Sequence, residues 1–359
     1  MAQRPNFNRT RTSTFRPFLA NDTNQSNDSN FTFNRNSFDD DPDSMFYLLT
    51  ALIIPSFLCF AFLFYNFIRL PQLRTRSTNL LIICLLINNF IHILVDLPFR
   101  LYFLFENRVP FSNPTYCLIW TCYDNILTTT DLLIMAFTSI ERYFSIFHHF
   151  FLHKHERLFY HIPIILCFLV PATWYTVLIF AYPCQKTFTY STFQCGPVCY
   201  LTSSQVLVNI ENFGFFMFPL FVIVIGNTTL IICVIIQKAS MKRKLRLSLW
   251  RNNLRMISQL MFIAVLYMSI YVPSCILLIF STYVQRTRFQ PWAAYVRSNY
   301  FIHLKYIVIF GCPFMVLAGQ KEMHQKIKNL FARTRCQRRV RRKTDIHPLT
   351  MMNTQNRKE

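Results

Sequence analysis

Residues 116–147 read YCLIWTCYDNILTTTDLLIMAFTSIERYFSIF, a mostly apolar stretch with widely spaced charges. At 1.5 Å per residue, a helix of this length would cross the ~30 Å of hydrocarbon in a bilayer. The run is too long and too continuously apolar for a β-strand, in which apolar and polar side chains alternate. The stretch therefore predicts a membrane-spanning helix.

Six more apolar stretches flank this one, and each is long enough to cross the hydrocarbon as a helix. The predicted fold class is therefore all-α, a seven-transmembrane helix bundle. No internal repeat is visible, which speaks against a transporter built from inverted repeats. The six flanking stretches cover residues 46–70, 79–104, 159–182, 205–237, 254–284 and 300–318, so the membrane domain spans 46–318.

The composition excludes most classes of enzyme. Hydrophobic residues make up 53% and charged residues 15%, whereas soluble domains carry about 25% charged residues. The five glycines are too far apart to form a phosphate-cradling loop, which excludes Walker and dinucleotide-binding motifs. Metalloprotease and nucleophile-elbow motifs are also missing from the sequence. We therefore predict that the protein is not an enzyme and has no metal site.

The net charge of +21 is unevenly distributed along the chain. Lys and Arg concentrate in the loops after the first, third and fifth stretches and in the C-terminal tail, as in membrane proteins whose basic loops face the cytoplasm. We therefore predict a multi-pass plasma-membrane protein with an extracellular N-terminus and a cytoplasmic C-terminus. A basic run just beyond a membrane helix favours anionic lipids, and not nucleic acid, as its partner.

The first 45 residues are polar, and we expect them to form a disordered extracellular tail. They contain five N-x-Ser/Thr sequons, a number that favours a glycosylated segment. A tail that is merely rich in Asn and Ser is the alternative. The five acceptors are Asn8, Asn21, Asn24, Asn27 and Asn30.

Several cysteines lie at the predicted extracellular end of the bundle. Cys117 begins the third stretch and Arg142 lies near its end, so the two are expected at opposite membrane faces. The loop before the fifth stretch carries Cys184, Cys195 and Cys199, which can oxidise outside the cell. A bridge from Cys117 would pin this loop over the bundle, with Cys195 or Cys199 as the candidate partner. Free or locally paired thiols are the alternative.

The triplet Glu141-Arg142-Tyr143 stands at the end of the third stretch. With its flanking motifs it resembles the rhodopsin-like (class A) G-protein-coupled receptors over about residues 46–335. Segments Tyr271-Val272-Pro273 and Cys312-Pro313 stand where the family has Trp-x-Pro and Asn-Pro. The other matching residues are Leu73, Arg74, Thr75, Thr78, Asn79, Pro98 and Pro219.

The chain also departs from the family pattern. Asn89 stands where the family has a buried Asp, and Asn227 and Val316 stand where it has Tyr. The chain is therefore identified as a divergent member of the family.

The resemblance implies how the protein would signal. A heterotrimeric G protein would be the cytoplasmic partner, and the coupling residues would be Glu141, Arg142 and Tyr143. Three helix prolines would act as hinges, although ordinary membrane-helix kinks are the alternative. These prolines are Pro219, Pro273 and Pro313.

The C-terminal region also resembles the family. An amphipathic eighth helix is implied over residues 319–335, lying on the inner leaflet. Cys336 follows it and is a candidate for palmitoylation, with an unmodified cysteine as the alternative. Residues 336–359 are predicted to form a basic cytoplasmic tail.

Several ionisable residues lie well inside the predicted helices, where each costs about 2.5–3.5 kcal/mol. By the resemblance, Asp124 stands where amine receptors hold a ligand ammonium, and Tyr306 where a Tyr hydrogen-bonds that acid. We expect Asp96 and Glu211 to open into the same cavity and Tyr271 to sense the ligand at its floor. The predicted ligand pocket comprises Asp96, Asp124, Glu211, Tyr271, Lys305 and Tyr306.

Three acids in one cavity suit a positively charged ligand. We predict a short basic or amidated peptide, with a biogenic amine as the second candidate. Internal pairing of these acids with Lys305 and Arg100 is the alternative.

Asp131 lies two helical turns below Asp124. In the family, an Asp of helix two and a small polar residue of helix three share a sodium ion. Here the carboxylate is on helix three and Asn89 is on helix two, which implies a relocated sodium or proton site at Asn89 and Asp131. A neutral Asp131 that is hydrogen-bonded to Asn89 is the alternative, and no other cofactor is predicted.

Two other functions would use the same buried charges. A secondary or proton-coupled transporter would use the acids as a proton path. A retinal-binding opsin would use a lysine of helix seven, but Lys305 lies one residue away from the position of the opsin lysine.

Overall fold

The computed structural model describes residues 42–69, 77–147, 156–240, 244–284 and 289–319. Within these ranges the secondary structure is helical and no β-strand is present, in agreement with the all-α prediction. Several predictions lie outside the described residues. These are the tail sequons, the eighth helix beyond Gly319, Cys336 and the basic tail.

The apolar stretches fold into seven long helices, which we number α1 to α7. Three are continuous α-helices: α1 (Pro42–Arg69), α3 (Pro114–Phe147) and α6 (Lys244–Thr282). The other four each contain one π-helical turn. They are α2 (Ser77–Ile91, His92–Asp96 and Leu97–Glu106), α4 (Glu156–Thr176 and Val177–Ala181), α5 (Gln205–Ile210, Glu211–Met217 and Phe218–Ser240) and α7 (Phe289–Val296, Arg297–Phe301 and Ile302–Gly319).

Among the described residues, six helices are long and apolar enough to cross a membrane. The seventh long helix, α3, has 34 residues but carries two aspartates and the Glu141-Arg142 pair. It contacts α2, α4 and α5, so much of its surface faces protein. This position explains how charged residues persist in a membrane helix, because they face the bundle interior.

The bundle closes through α7, which contacts α1, α2 and α6, while α5 contacts both α3 and α6. A close approach between α6 and α7 occurs at Gly311, where an added Cβ would lie 2.6 Å from Leu266 Cδ2. Small residues allow such approaches between membrane helices. The main apolar core draws on all seven helices and includes Phe60, Leu85, Leu132, Cys167, Ile223, Ile263 and Val308.

Three helix starts differ from the predicted spans, and one of them is α6, which begins at Lys244 and not at residue 254. α7 begins at Phe289 and not near residue 300, because the polar residues that ended the apolar run form the π-helical turn Arg297–Phe301 within the helix. α1 begins at Pro42, inside the segment predicted as a tail. Proline is favoured in the first turn of a helix, where its missing N–H costs no hydrogen bond.

The segment between α4 and α5, residues 182–204, is called here the cysteine loop. It contains a 3-10 turn at Phe193–Cys195 and a short helix at Cys199–Ser203. Disulfides join Cys117 to Cys195 and Cys184 to Cys199. Of the two candidate partners for Cys117, the structure therefore selects Cys195. We call this end of the bundle the disulfide end and the opposite end the Arg142 end.

Candidate functional site

Four charged side chains from three helices meet beneath the cysteine loop. Asp96 and Arg100 belong to α2, Asp124 to α3 and Lys305 to α7. Arg100 Nη2 lies 3.5 Å from a carboxylate oxygen of each aspartate. Lys305 Nζ lies 4.0 Å from Asp96 Oδ2 and donates a hydrogen bond to Asp124. All four side chains are buried, and we call the group the ion cluster.

The ion cluster contains two acids and two bases, so its formal charges cancel. A buried charge is tolerated only when a partner compensates it, because its desolvation costs several kcal/mol. The pairing of Asp96 and Asp124 with Arg100 and Lys305 corresponds to the alternative that the sequence left open. A positively charged ligand that reached Asp124 would therefore meet carboxylates that already have partners.

Helix α2 brings two members of the ion cluster to the same face. Asp96 ends the π-helical turn His92–Asp96, and Arg100 follows one turn later. Arg100 Nη1 donates a hydrogen bond of 2.9 Å to the carbonyl oxygen of Ile302 and lies 3.3 Å from His303 Nδ1. Arg100 thereby ties α2 to α7.

Neutral donors complete the surroundings of both aspartates. Asp96 accepts hydrogen bonds from Trp120 Nε1, at 2.6 Å, and from the Tyr306 hydroxyl. Asp124 accepts one from Gln194 Nε2 at 2.7 Å. Every carboxylate oxygen of the cluster therefore has a donor, as buried charges require.

The donor Gln194 comes from the cysteine loop, and so does the aromatic ring that covers the cluster. The ring of Phe193 lies 4.3 Å from the guanidinium carbon of Arg100, a cation–π contact. The same ring packs against Phe103, Trp120 and His303 at centroid distances of 5.3 to 5.5 Å. The loop therefore penetrates the bundle as far as the ion cluster.

The backbone at this point of the loop is left-handed. The φ angles are 52° at Gln194, 63° at Cys195 and 94° at Gly196. A non-glycine residue held in this region costs roughly 1–3 kcal/mol, so the surrounding contacts must impose it. The Cys117–Cys195 bond and the two side-chain contacts of the turn are such contacts.

The structure groups only some of the predicted pocket residues. Asp96, Asp124, Lys305 and Tyr306 meet in the ion cluster or touch it. The carboxylate of Glu211 accepts hydrogen bonds from the hydroxyls of Tyr200, at 2.8 Å, and Tyr175, at 3.5 Å. These two hydrogen-bond donors lie on α4 and the cysteine loop, and the Arg297 guanidinium of α7 also lies within electrostatic range of Glu211.

Two tyrosines lie outside the ion cluster. Tyr271 stacks on Tyr267 with a centroid distance of 5.7 Å and an interplanar angle of 19°. Tyr200, in the short helix of the cysteine loop, is fully buried. Burial and the neighbouring Glu211 carboxylate raise the pKa of Tyr200 far above its usual range, so its hydroxyl is a permanent donor.

Trp120, Phe193 and Gln194 are among the residues that contact the ion cluster and were not predicted from the sequence. Trp120 had a usable signal, because it precedes Asp124 by one helical turn on the same face. Phe193 and Gln194 lie in a loop, where no periodic pattern reports what a side chain touches.

Deeper in the bundle, Asp131 contacts Asn88 and not Asn89. Asn88 Nδ2 donates to Asp131 Oδ1 at 2.7 Å, and His92 Nε2 lies 3.9 Å from Asp131 Oδ2. The hydrogen bond that the alternative assigned to Asn89 is made by Asn88, because neighbouring residues of a helix point about 100° apart. Asn89 is buried at its own position on α2.

One set of side chains has the spacing of a metal site. Ligand atoms of His92, Asp96 and Asp124 lie within 4.8 Å of one another. Both aspartates, however, already pair with Arg100 and Lys305, whose positive charges oppose a cation at this point. The donor set therefore fits an ion-pair cluster better than a metal site.

The Arg142 end contains a smaller charged group. Arg142 Nε lies 3.1 Å from Glu141 Oε2, and Glu141 Oε1 accepts a hydrogen bond of 2.8 Å from the hydroxyl of Tyr160 on α4. Glu141 and Arg142 are buried, whereas Tyr143 is exposed. Asn227 of α5 donates to Ser139 of α3 at 3.0 Å and joins these two helices nearby.

The chain matches the family model of the 7 transmembrane receptor (rhodopsin family) over residues 61–308. It is also 28% identical over 99 residues to the D(1B) dopamine receptor of Rattus norvegicus, a segment that covers 28% of this chain and 20% of that receptor. The chain thus matches about a fifth of the length of that relative. The family match covers more than half of the chain and confirms both the seven-helix fold and the prediction of a receptor and not an enzyme. The protein belongs to the rhodopsin family of seven-transmembrane receptors.

Proposed function

We propose that this receptor passes a signal from an extracellular ligand to a heterotrimeric G protein in the cytoplasm. The observation that carries the proposal is that one helix, α3, contributes to both charged groups. It supplies Asp124 to the ion cluster and the Glu141-Arg142 pair to the opposite end. A change in how α3 packs at the disulfide end can therefore reach the Arg142 end through one rigid element.

The disulfide end faces the outside in this proposal, and the protein resides in the plasma membrane. The two disulfides support this orientation, because such bonds persist in oxidising compartments. The basic loops and C-terminal tail then face anionic cytoplasmic lipids. The sequons of the N-terminal tail lie on the glycosylated side.

The ligand is a short basic or amidated peptide, or else a biogenic amine, and its ammonium or guanidinium group binds Asp124. Asp124 supports this assignment because it lies beneath the cysteine loop and its carboxylate already accepts a lysine ammonium. Lys305 would be displaced on binding, which leaves the ligand to compensate the Asp124 charge. Lys305 keeps a compensating charge in this exchange, because its ammonium lies 4.0 Å from Asp96 Oδ2.

Binding stabilises a second conformation of the bundle. Tyr271 lies on α6 two residues before Pro273 and stacks on Tyr267. A ligand that moves Tyr271 at the cavity floor would therefore move α6. Pro219, Pro273 and Pro313 serve as hinges in α5, α6 and α7. Arg142 then leaves Glu141 and, with Tyr143, helps to bind the G protein.

Asp131 binds a sodium ion or a proton in this proposal, with Asn88 and Asn89 beside it on α2. Its support is the burial of Asp131 within the bundle and the amide already directed at it. The test is agonist affinity as a function of sodium concentration in the unmodified receptor and in Asp131→Asn. Equal sodium dependence in the two proteins would remove this site.

The signalling proposal is tested by nucleotide exchange on purified G proteins, with a panel of basic and amidated peptides and biogenic amines as ligands. Arg142→Ala is expected to abolish ligand-dependent exchange while surface expression is kept. Arg108→Ala is the matched control, because this arginine is largely exposed at the disulfide end. Ligand-dependent exchange that survives in Arg142→Ala would contradict the proposed coupling role, and substrate flux in vesicles would instead identify a transporter.

A further inference from the structure

The cysteine loop lies where the proposed function puts the extracellular ligand. Gln194 Nε2 binds one oxygen of Asp124 at 2.7 Å, while Lys305 binds the other. The Thr121 hydroxyl lies 3.4 Å from the carbonyl oxygen of Gln194, one turn above Asp124 on α3. An amide and an ammonium of the receptor itself therefore take the positions that a ligand's donors would need.

Phe193 closes the ion cluster beside this amide. Its ring covers the Arg100 guanidinium at 4.3 Å and contacts α2, α3 and α7 through Phe103, Trp120 and His303. Arg100 has an exposed fraction of 0% and Asp124 of 5%. The side chains of this turn thus contribute to shielding the cluster from solvent.

We propose that Phe193 and Gln194 are an intramolecular ligand of the ion cluster, a plug that holds the receptor in its closed conformation. This inference rests on the proposed function and extends it, because it names the receptor's own loop as the resident ligand of Asp124. An activating ligand then has to displace the plug.

The contacts at the Arg142 end indicate that the receptor is in its closed conformation while the plug is docked. Arg142 has an exposed fraction of 2% and lies 3.1 Å from Glu141 while the plug is docked. Arg100 meanwhile binds the Ile302 carbonyl and Lys305 binds Asp124, so α7 is held to α2 and α3 at the cluster. Interactions made in one conformation stabilise that conformation, and their loss shifts the population towards the other.

The plug is tethered at close range. Cys195 is bonded to Cys117 on α3, and Cys199, four residues on, is bonded to Cys184. A tethered group competes at a high effective concentration, because it cannot diffuse away. An external ligand that binds only the open state has a lower apparent affinity, because the open state is a small fraction of the population.

The first test measures how well the plug shields the site from solvent, in the receptor without a G protein. Thr121→Cys places a thiol beside Gln194, at a position with an exposed fraction of 6%. Its rate of modification by a membrane-impermeant thiosulfonate is compared with and without Gln194→Ala, Gln194→Glu or Phe193→Ala. We expect labelling to accelerate about tenfold in the two Gln194 variants, the factor that follows from losing one hydrogen bond to a charged group, and to accelerate in Phe193→Ala because its cation–π contact with Arg100 is lost.

The background rate of the native thiols, such as Cys122, is measured without Thr121→Cys. Gln205→Ala and Phe111→Ala are the matched controls, since both side chains are exposed and lie outside the plug. Labelling rates that stay unchanged in all three plug variants would overturn the proposal. Gln194→Glu keeps the size of the side chain, so it separates loss of the contact from loss of folding.

The second test is ligand-free nucleotide exchange on purified G proteins. The plug variants are expected to raise it severalfold above the unmodified receptor and both controls. Faster labelling with unchanged or lower exchange, in a receptor that does drive exchange, would overturn the autoinhibitory role. If no form of the receptor drives exchange while labelling still accelerates, the proposed coupling fails and the plug stands.

Discussion

The two charged groups on α3 are both buried, yet they are built in different ways. At the Arg142 end, Glu141 and Arg142 are neighbours in the chain, and a hydroxyl from α4 donates a hydrogen bond to Glu141. At the disulfide end, compensation for Asp124 comes from α2, α7 and a loop. The ion pair between Glu141 and Arg142 lies within one helix and can open by a local movement, whereas the ion cluster cannot change without moving several elements.

This contrast predicts which end contributes more to stability and which end is poised to switch. A buried ion group with partners on many elements cross-links the fold. A pair of adjacent residues adds little cross-linking, so its rupture changes the conformation more than the free energy of unfolding.

The largest effect is expected at the ion cluster. Lys305→Met should lower the free energy of unfolding by about 3–5 kcal/mol, because Asp124 would lose its closest compensating charge in a buried site. The double variant Lys305→Met/Asp124→Asn should recover much of this loss, since both charges are then gone. Thermal unfolding of the purified receptors measures both, and a single variant as stable as the double would contradict the comparison.

Loss of a disulfide should have the second-largest effect on the free energy of unfolding. In the chain-entropy model, loss of Cys117–Cys195, which closes a separation of 78 residues, costs about 4.5 kcal/mol, and loss of Cys184–Cys199, which closes 15, costs about 3 kcal/mol. Cys117→Ser/Cys195→Ser should therefore unfold at a lower temperature than Cys184→Ser/Cys199→Ser. The reverse order would mean that the short loop does more than limit the unfolded chain.

At the Arg142 end we expect a change in activity that exceeds the change in stability. Glu141→Gln removes the charge that pairs with Arg142, and a buried charge that loses its partner is strongly destabilised. Ligand-free nucleotide exchange should rise about tenfold or more. Glu106→Gln is the control, because its partner Arg108 is largely exposed. An unchanged exchange rate with normal expression would show that the pair is not a lock.

The smallest effect is expected from Tyr160→Phe, which removes one hydrogen bond to Glu141 and keeps the ring. A typical hydrogen bond contributes about 1 kcal/mol, so ligand-free exchange should rise about fivefold. Tyr47→Phe provides the comparison, because that side chain is 69% exposed. A larger rise than in Glu141→Gln would place the main restraint on α4 and not within α3.

The same contrast explains what the sequence could reveal. The seven helices follow from long apolar runs, and the Glu141-Arg142 pair is visible because its members are adjacent. The contact between Gln194 and Asp124 joins residues 70 positions apart through a loop, and no local pattern encodes it. The interchange of Asn88 and Asn89 shows a related limit, since one position along a helix turns a side chain towards a different neighbour.

The π-helical turns have a consequence for any comparison with relatives. A π turn holds one more residue than an α turn, because its hydrogen bonds run from i to i+5. The turn His92–Asp96 lies between the asparagines of α2 and Arg100. A relative whose second helix is α-helical throughout would present a different face to α3 beyond this point. Alignments of α2 with such a relative therefore need a one-residue gap, and counterparts of Arg100 should be sought by superposed backbone direction instead of residue count.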